Sequence, residues 1–218
     1  MVAPDLISEE DIAKLTIPDD LPDERPTFKA YIEAKVYDNE GHLIQHHRQP
    51  MRSLTQYFLA LISIPLIGTY QGNSVNQATG ILTNVLGLPE EITGNSGSAN
   101  ILWNWSIQLG SGTQSFSPSL NSLAAPIANG SGAGELYYST LSVSYSGSAI
   151  FNTLTVYNLT SNAVTVTEIG LQGTVIIQYS GGSQNTYSFL LSYDTFSTAI
   201  SIPAYGMAVF QITLSFSG

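Results

Sequence analysis

The chain of 218 residues carries 16 acids and 6 bases, a net charge of −10, and is 43% hydrophobic. That is enough apolar material for one sizeable core, yet charged residues make up only 10%, against roughly 25% in an ordinary soluble domain. All six bases and all three histidines lie before Ser53. The remainder therefore has no cation with which to grip phosphates, and direct nucleic-acid binding is not expected of it.

The lack of cysteine rules out disulfides, thiolate metal sites and cysteine nucleophiles. Residues 1–10 are acidic and lack the basic-then-apolar pattern of a signal peptide, so synthesis in a cytoplasm is expected. The apolar run 54–70 is interrupted by Thr55, Gln56, Ser63 and Pro65. It falls short of the ~18 uninterrupted residues of a spanning helix, which leaves only peripheral membrane contact open.

Residues 1–27 read as an acidic arm. Ser8 and Asp11 have capping-box spacing ahead of a short helix, and Pro18, Pro22 and Pro26 bracket an extended stretch containing Asp19, Asp20, Asp23 and Glu24. Residues 28–99 form the second region. Ala30, Ile32, Ala34 and Val36 alternate with polar or amphipathic neighbours, Asp38-Asn39-Glu40-Gly41 supplies a turn, and residues 42–48 return as a second strand. Ser53 is the expected N-cap of a helix from Leu54 to about Ile62, stopped by Pro65, and a loop-rich connection follows.

Residues 100–218 predict the main body. Ile101, Trp103, Trp105, Ile107 and Leu109 share one face of a strand. Further runs fall at 136–145, 149–158, 163–171, 174–179, 185–193, 198–202 and 207–217. Short turns such as Ser146-Gly147-Ser148 and Ala204-Tyr205-Gly206 separate several of them. About eight strands so spaced predict a mainly β chain: an antiparallel β-sandwich of jelly-roll or related topology, preceded by the arm, the hairpin and the short helix.

Candidate chemistry is sparse. The histidines are confined to the first hairpin and no Gly-x-Ser-x-Gly elbow occurs, so a Ser–His nucleophile is not expected. A glycosidase pair would have to come from Glu135, Glu168 and Asp194. Glu168 shares a predicted strand face with Val164 and Val166. The favoured reading of this residue is a carboxylate that accepts loop backbone hydrogen bonds and pins a corner of the fold. His42 and His46 alternate onto one predicted face, but no carboxylate or cysteine at ligand spacing completes a metal site, and no cofactor motif is present. With His47, Arg48 and Arg52 these histidines form a cationic patch instead, which strengthens as they protonate. The arm holds a net −6 and residues 28–52 a net +1. Asp19, Asp20, Asp23 and Glu24 on one subunit and His46, His47, Arg48 and Arg52 on another are therefore the candidate subunit contacts.

Several stretches, each weak alone, occur in a telling order. They are Gly41-His42-Leu43-Ile44, residues 52–59, Ile107-Gln108-Leu109-Gly110-Ser111-Gly112-Thr113, Leu120-Asn121-Ser122-Leu123-Ala124-Ala125-Pro126-Ile127, Val166-Thr167-Glu168-Ile169-Gly170-Leu171 and Ile202-Pro203-Ala204-Tyr205-Gly206. In this order the chain resembles structural proteins of archaeal viruses, such as those infecting hot-acid archaea, and of some tailed phages. The resemblance implies a non-enzymatic virion component such as a tail, fibre, turret or adaptor protein. Such a protein is made in the host cytoplasm and works as a homo-oligomer beside other virion proteins. The acidic arm is outside the resemblance. The alternative is a cell-surface adhesin or carbohydrate-binding module, with aromatic side chains as stacking faces.

Overall fold

The computed structural model describes residues 27–55, 58, 100–178 and 184–217. Among them the chain is mainly antiparallel β, with helical backbone only at Phe58. Nine strands are present. They are β1 (Thr27–Tyr37), β2 (Leu43–Pro50), β3 (Asn100–Gly110), β4 (Tyr137–Tyr138), β5 (Ser142–Ser146), β6 (Ala149–Tyr157), β7 (Val164–Gln178), β8 (Gln184–Ile202) and β9 (Met207–Ser217). One sheet has six strands in the order β2-β1-β9-β6-β4, with β5 also pairing to β6. The other has three, β3-β7-β8, and the sheets do not close into a barrel.

The period-2 patterns decide which face each strand buries. Ala30, Ile32, Ala34 and Val36 of β1 and Ala208, Phe210, Ile212 and Leu214 of β9 are buried on one side of the larger sheet. β1 and β9 run antiparallel in unbroken register from Thr27↔Ser217 to Tyr37↔Met207. The N-terminal hairpin is thus part of the same sheet as the C-terminal strands, across the sequence boundary at residues 99 and 100. Val164, Val166, Ile169 and Leu171 of β7 and Phe189, Leu191, Phe196, Ile200 and Ile202 of β8 belong to the same core. The Phe196 and Phe210 rings meet across it at 6.0 Å.

The described residues from 100 onward form seven strands, where the sequence predicts eight. The runs 163–171 and 174–179 are one strand, as are 185–193 and 198–202, while 136–145 divides into β4 and β5. Gly170 and Gly173 lie inside β7, where a neighbour packs onto each. A Cβ on Gly173 would stand 2.7 Å from the Phe189 ring, and one on Gly170 2.8 Å from the Ser192 carbonyl. Irregularities in the β7–β8 register, between Val166 and Glu168 and between Leu171 and Gln172, let the strands continue.

The predicted helix 54–62 lies largely outside the described residues, and its expected cap is used otherwise. Leu54 bridges to Ser192 of β8, Thr55 N–H donates to Leu191 O at 3.0 Å, and Tyr193 N–H donates to Ser53 O at 3.2 Å. Ser53 is therefore part of a crossing segment that links the two sheets. Phe58 N–H in turn donates to Thr55 O at 3.2 Å. Phe58 is buried against Phe28, with ring centroids 5.6 Å apart.

Candidate interaction surface

Strand parity sorts the charges of the first hairpin. Odd-numbered residues of β1 face away from the core, and the pairs Glu33↔Arg48 and Lys35↔His46 place β2 side chains beside them. Glu33 Oε1 is shared by Lys35 Nζ at 3.0 Å and His46 Nε2 at 2.7 Å. Partial burial would raise the Glu33 carboxyl, but the bonds from Lys35 and His46 outweigh it and hold the group below the usual carboxylate range. The Arg48 guanidinium lies 5.1 Å over the Tyr31 ring, a cation–π contact. Lys29 is exposed on the same face. The outer face of the hairpin thus carries Lys29, Lys35, His46 and Arg48 and one carboxylate, Glu33, which pairs with Lys35 and His46, and the neighbouring outer positions of β9 are Val209, Gln211, Thr213 and Ser215.

The structure brings together only part of the predicted patch. His42 does not share the face of His46, because the β1–β2 register shifts between Val36 and Tyr37. It belongs to the turn, where Asp38 Oδ1 accepts from Glu40 N–H and His42 N–H, and Asp38 Oδ2 lies 3.2 Å from His42 Nδ1. The Asp38 carboxyl is lowered, first by the His42 backbone bond. His47 points to the opposite side from His46, with its Nε2 2.8 Å from Gln49 Oε1 and its ring edge-on to Phe196. Arg52 lies beyond the strand, where its backbone N–H donates to Asp194 Oδ2 at 2.9 Å. His46 and Arg48 therefore belong to the outer cationic face, and His47 and Arg52 do not. Asp19, Asp20, Asp23 and Glu24 lie outside the described residues.

Two glutamines carry a role that the sequence does not announce. Gln49 Nε2 donates to Thr195 O at 2.9 Å while its Oε1 accepts from Ser197 N–H at 3.2 Å. Gln45 repeats the arrangement with Ala199 O and Ser201 N–H. A side-chain amide offers one donor and one acceptor at the spacing of a strand backbone, so the two glutamines close the edge of β8. Their i, i+4 spacing on one strand face was the only signal available.

Glu168 does not share a face with Val164 and Val166. The irregularity at Thr167 turns it away from the core and under the loop after β3, where it is fully buried. Its Oε1 accepts from Ala125 N–H at 2.8 Å and Gly112 N–H at 3.3 Å, and its Oε2 from Ala124 N–H at 3.1 Å. This is the expected pin. Leu123, Leu190 and Tyr193 form a small second core beneath the same loop. The Tyr193 hydroxyl donates to Gln114 O and accepts from Gln114 N–H, and burial raises its pKa. Asp194, on the strand beside Glu168, is buried and raised by that burial despite bonds from Arg52 N–H and Thr195 N–H. Both carboxylates hold backbone. Among the described residues no three His, Asp or Glu side chains lie close enough together to hold a metal ion.

In comparisons with protein-family models, curated proteins and solved structures, no match to the chain was found. No described helix is long and apolar enough to cross a membrane.

Proposed function

We propose that this chain is a non-enzymatic virion structural protein, an oligomeric component or adaptor of an external appendage. On this reading it is made in the host cytoplasm and incorporated into the particle. The observation that carries the proposal is the outer face of the first hairpin, which presents Lys29, Lys35, His46 and Arg48 with a single carboxylate, Glu33, held by Lys35 and His46. The arm that precedes it holds a net −6 and is stiffened by three prolines. An arm of that charge and stiffness suits a neighbour's cationic face better than a sharp return to its own. The finer architecture, a two-sheet sandwich related to the jelly roll, belongs to the same proposal. Its support is the return of the last strand, β9, to lie beside β1.

The body also suits acid. From Ser53 onward five carboxylates and no base are present, so protonation takes that region from −5 to near zero. Acid-induced self-repulsion is then largely absent, as a particle in hot acid requires.

Deleting residues 1–23 tests the proposal. Circular dichroism should show the β-sheet signal retained, while sedimentation shows self-association weakened at least ~tenfold, an effect that raised salt on the full chain should imitate. Equal assembly with and without the arm would sink the docking role. A second reading, a carbohydrate-binding module, draws support from Tyr137 and Tyr157, partly exposed rings 6.4 Å apart. Specific sugar binding by the isolated monomer on a glycan array would favour it.

A further inference from the structure

We infer that β5 is a self-association edge, at which a second copy of this chain adds its own β5 antiparallel across a two-fold axis through Ser144. The inference is independent of the virion reading, since it rests on the opposite end of the larger sheet from the cationic hairpin. Among the described residues six strands stand over three, and β5 pairs only with β6.

Three observations meet there. The first is an apolar row that leaves the core uncovered. Ala30, Leu214 and Ile150 are aligned across β1, β9 and β6, and Tyr145 continues the row on β5. Tyr145 is 76% exposed and Val143 44%. Together with Ile150, Asn152 and Leu214 they line a cavity of about 240 Å³.

The second is the backbone. Ser146 and Ala149 close a two-residue hairpin loop whose first residue, Gly147, has φ of +58°. The closing pair of such a loop is hydrogen-bonded, so alternate residues Val143 and Tyr145 turn their N–H and C=O groups outward. With Ser144 on the axis, Val143 faces Tyr145 of the partner subunit and Tyr145 faces Val143 of the partner subunit. Each pair exchanges two backbone hydrogen bonds. The sequence Ser-Val-Ser-Tyr-Ser is close to symmetric about Ser144, so the same apolar face is presented from both sides.

The third is charge. Neither residues 142–157 nor residues 207–217 contain an ionisable acid or base other than tyrosine. The acidic arm would find no cation here and a basic peptide no anion, whereas a second β5 is matched in charge and polarity. The strand also lacks the lysine, proline or inward-pointing charge that protects edges elsewhere. The edge of β8, by contrast, is occupied by residues 53–55 and by Gln45 and Gln49.

The chain has no cysteine, so Ser144→Cys in the full chain gives a single thiol on the proposed axis. Non-hydrogen-bonded antiparallel partners stand ~4.5 Å apart at Cα, within disulfide reach. Under mild oxidation S144C should form a covalent dimer at least about tenfold faster than S119C, which places a thiol on an exposed loop. Val143→Lys, at an exposed position, should keep the β-sheet dichroism and weaken the dimer in sedimentation at least ~tenfold. Cross-linking of S144C no faster than of S119C, or an unchanged mass for folded V143K, would overturn the inference.

Discussion

Replacing Glu168 by glutamine changes one atom's hydrogen-bonding role and little volume. The carboxylate now accepts from three backbone N–H groups, two on Oε1 and one on Oε2. The glutamine oxygen can serve Ala125 and Gly112 as Oε1 does, but its nitrogen then meets Ala124 N–H donor to donor. One buried donor left without an acceptor costs ~1–3 kcal/mol, and E168Q should lose that much. Alanine strips the acceptor from all three and leaves a void beneath Ala124 and Ala125. The loop can lift toward water, which limits the loss to about 3–5 kcal/mol. Urea unfolding followed by far-UV dichroism at neutral pH gives both values, with unchanged m-values showing that the unfolding transition itself is the same. Amide exchange at Ala124 and Ala125 should rise before global unfolding in both variants. An E168Q within ~0.5 kcal/mol of the parent, or less stable than E168A, would refute the assignment of Glu168 as a backbone acceptor.

Two further outcomes follow from the edge of β8 and from its acid. Gln49→Ala should cost ~1–3 kcal/mol because Gln49 is buried and leaves Thr195 O and Ser197 N–H unpaired, while Gln45→Ala, at the wetter end, should cost less than ~1 kcal/mol. Equal losses in chemical denaturation would show that the amides do not act through burial. The raised Asp194 carboxyl contributes stability below its unfolded value of 3.8 and loses it as pH rises through the folded value. Lowered Glu33 and Asp38 act in the opposite sense, losing their contribution as pH falls through their folded values. The stability of the parent relative to D194N should therefore increase on acidification through this window; a decrease in paired melts would contradict the burial assignment.

Much of the sheet content was legible because period-2 alternation has one physical cause, burial on a single face. It worked for Ala30 to Val36 and for Ala208 to Leu214, whose strands are regular along their whole shared register. It failed where a bulge changes phase. The irregularity at Thr167 moves Glu168 off the face of Val164, and the shift at Val36 separates His42 from His46. The candidate contact patch was half legible: His46 and Arg48 share the outer face, but parity sends His47 to Phe196. Gln45 and Gln49 were hidden because an amide that caps a strand edge has the same sequence signature as one that faces water.

The two proposed interfaces lie at opposite edges of one sheet and differ in symmetry, which has a consequence for assembly. Contact through β5 is isologous, so it joins two copies and stops there. Docking of an acidic arm on a neighbour's β1–β2 face is heterologous: each chain offers one arm and one patch, so it continues until a ring closes or another protein occupies the last patch. The first contact is uncharged and the second is ionic. Salt should therefore dissolve arm-linked species while leaving the β5 pair, and V143K should do the reverse. A chain with both contacts can join rings or rows in pairs, whereas loss of either leaves a simpler species. That separation lets one contact fail in experiment without removing support for the other.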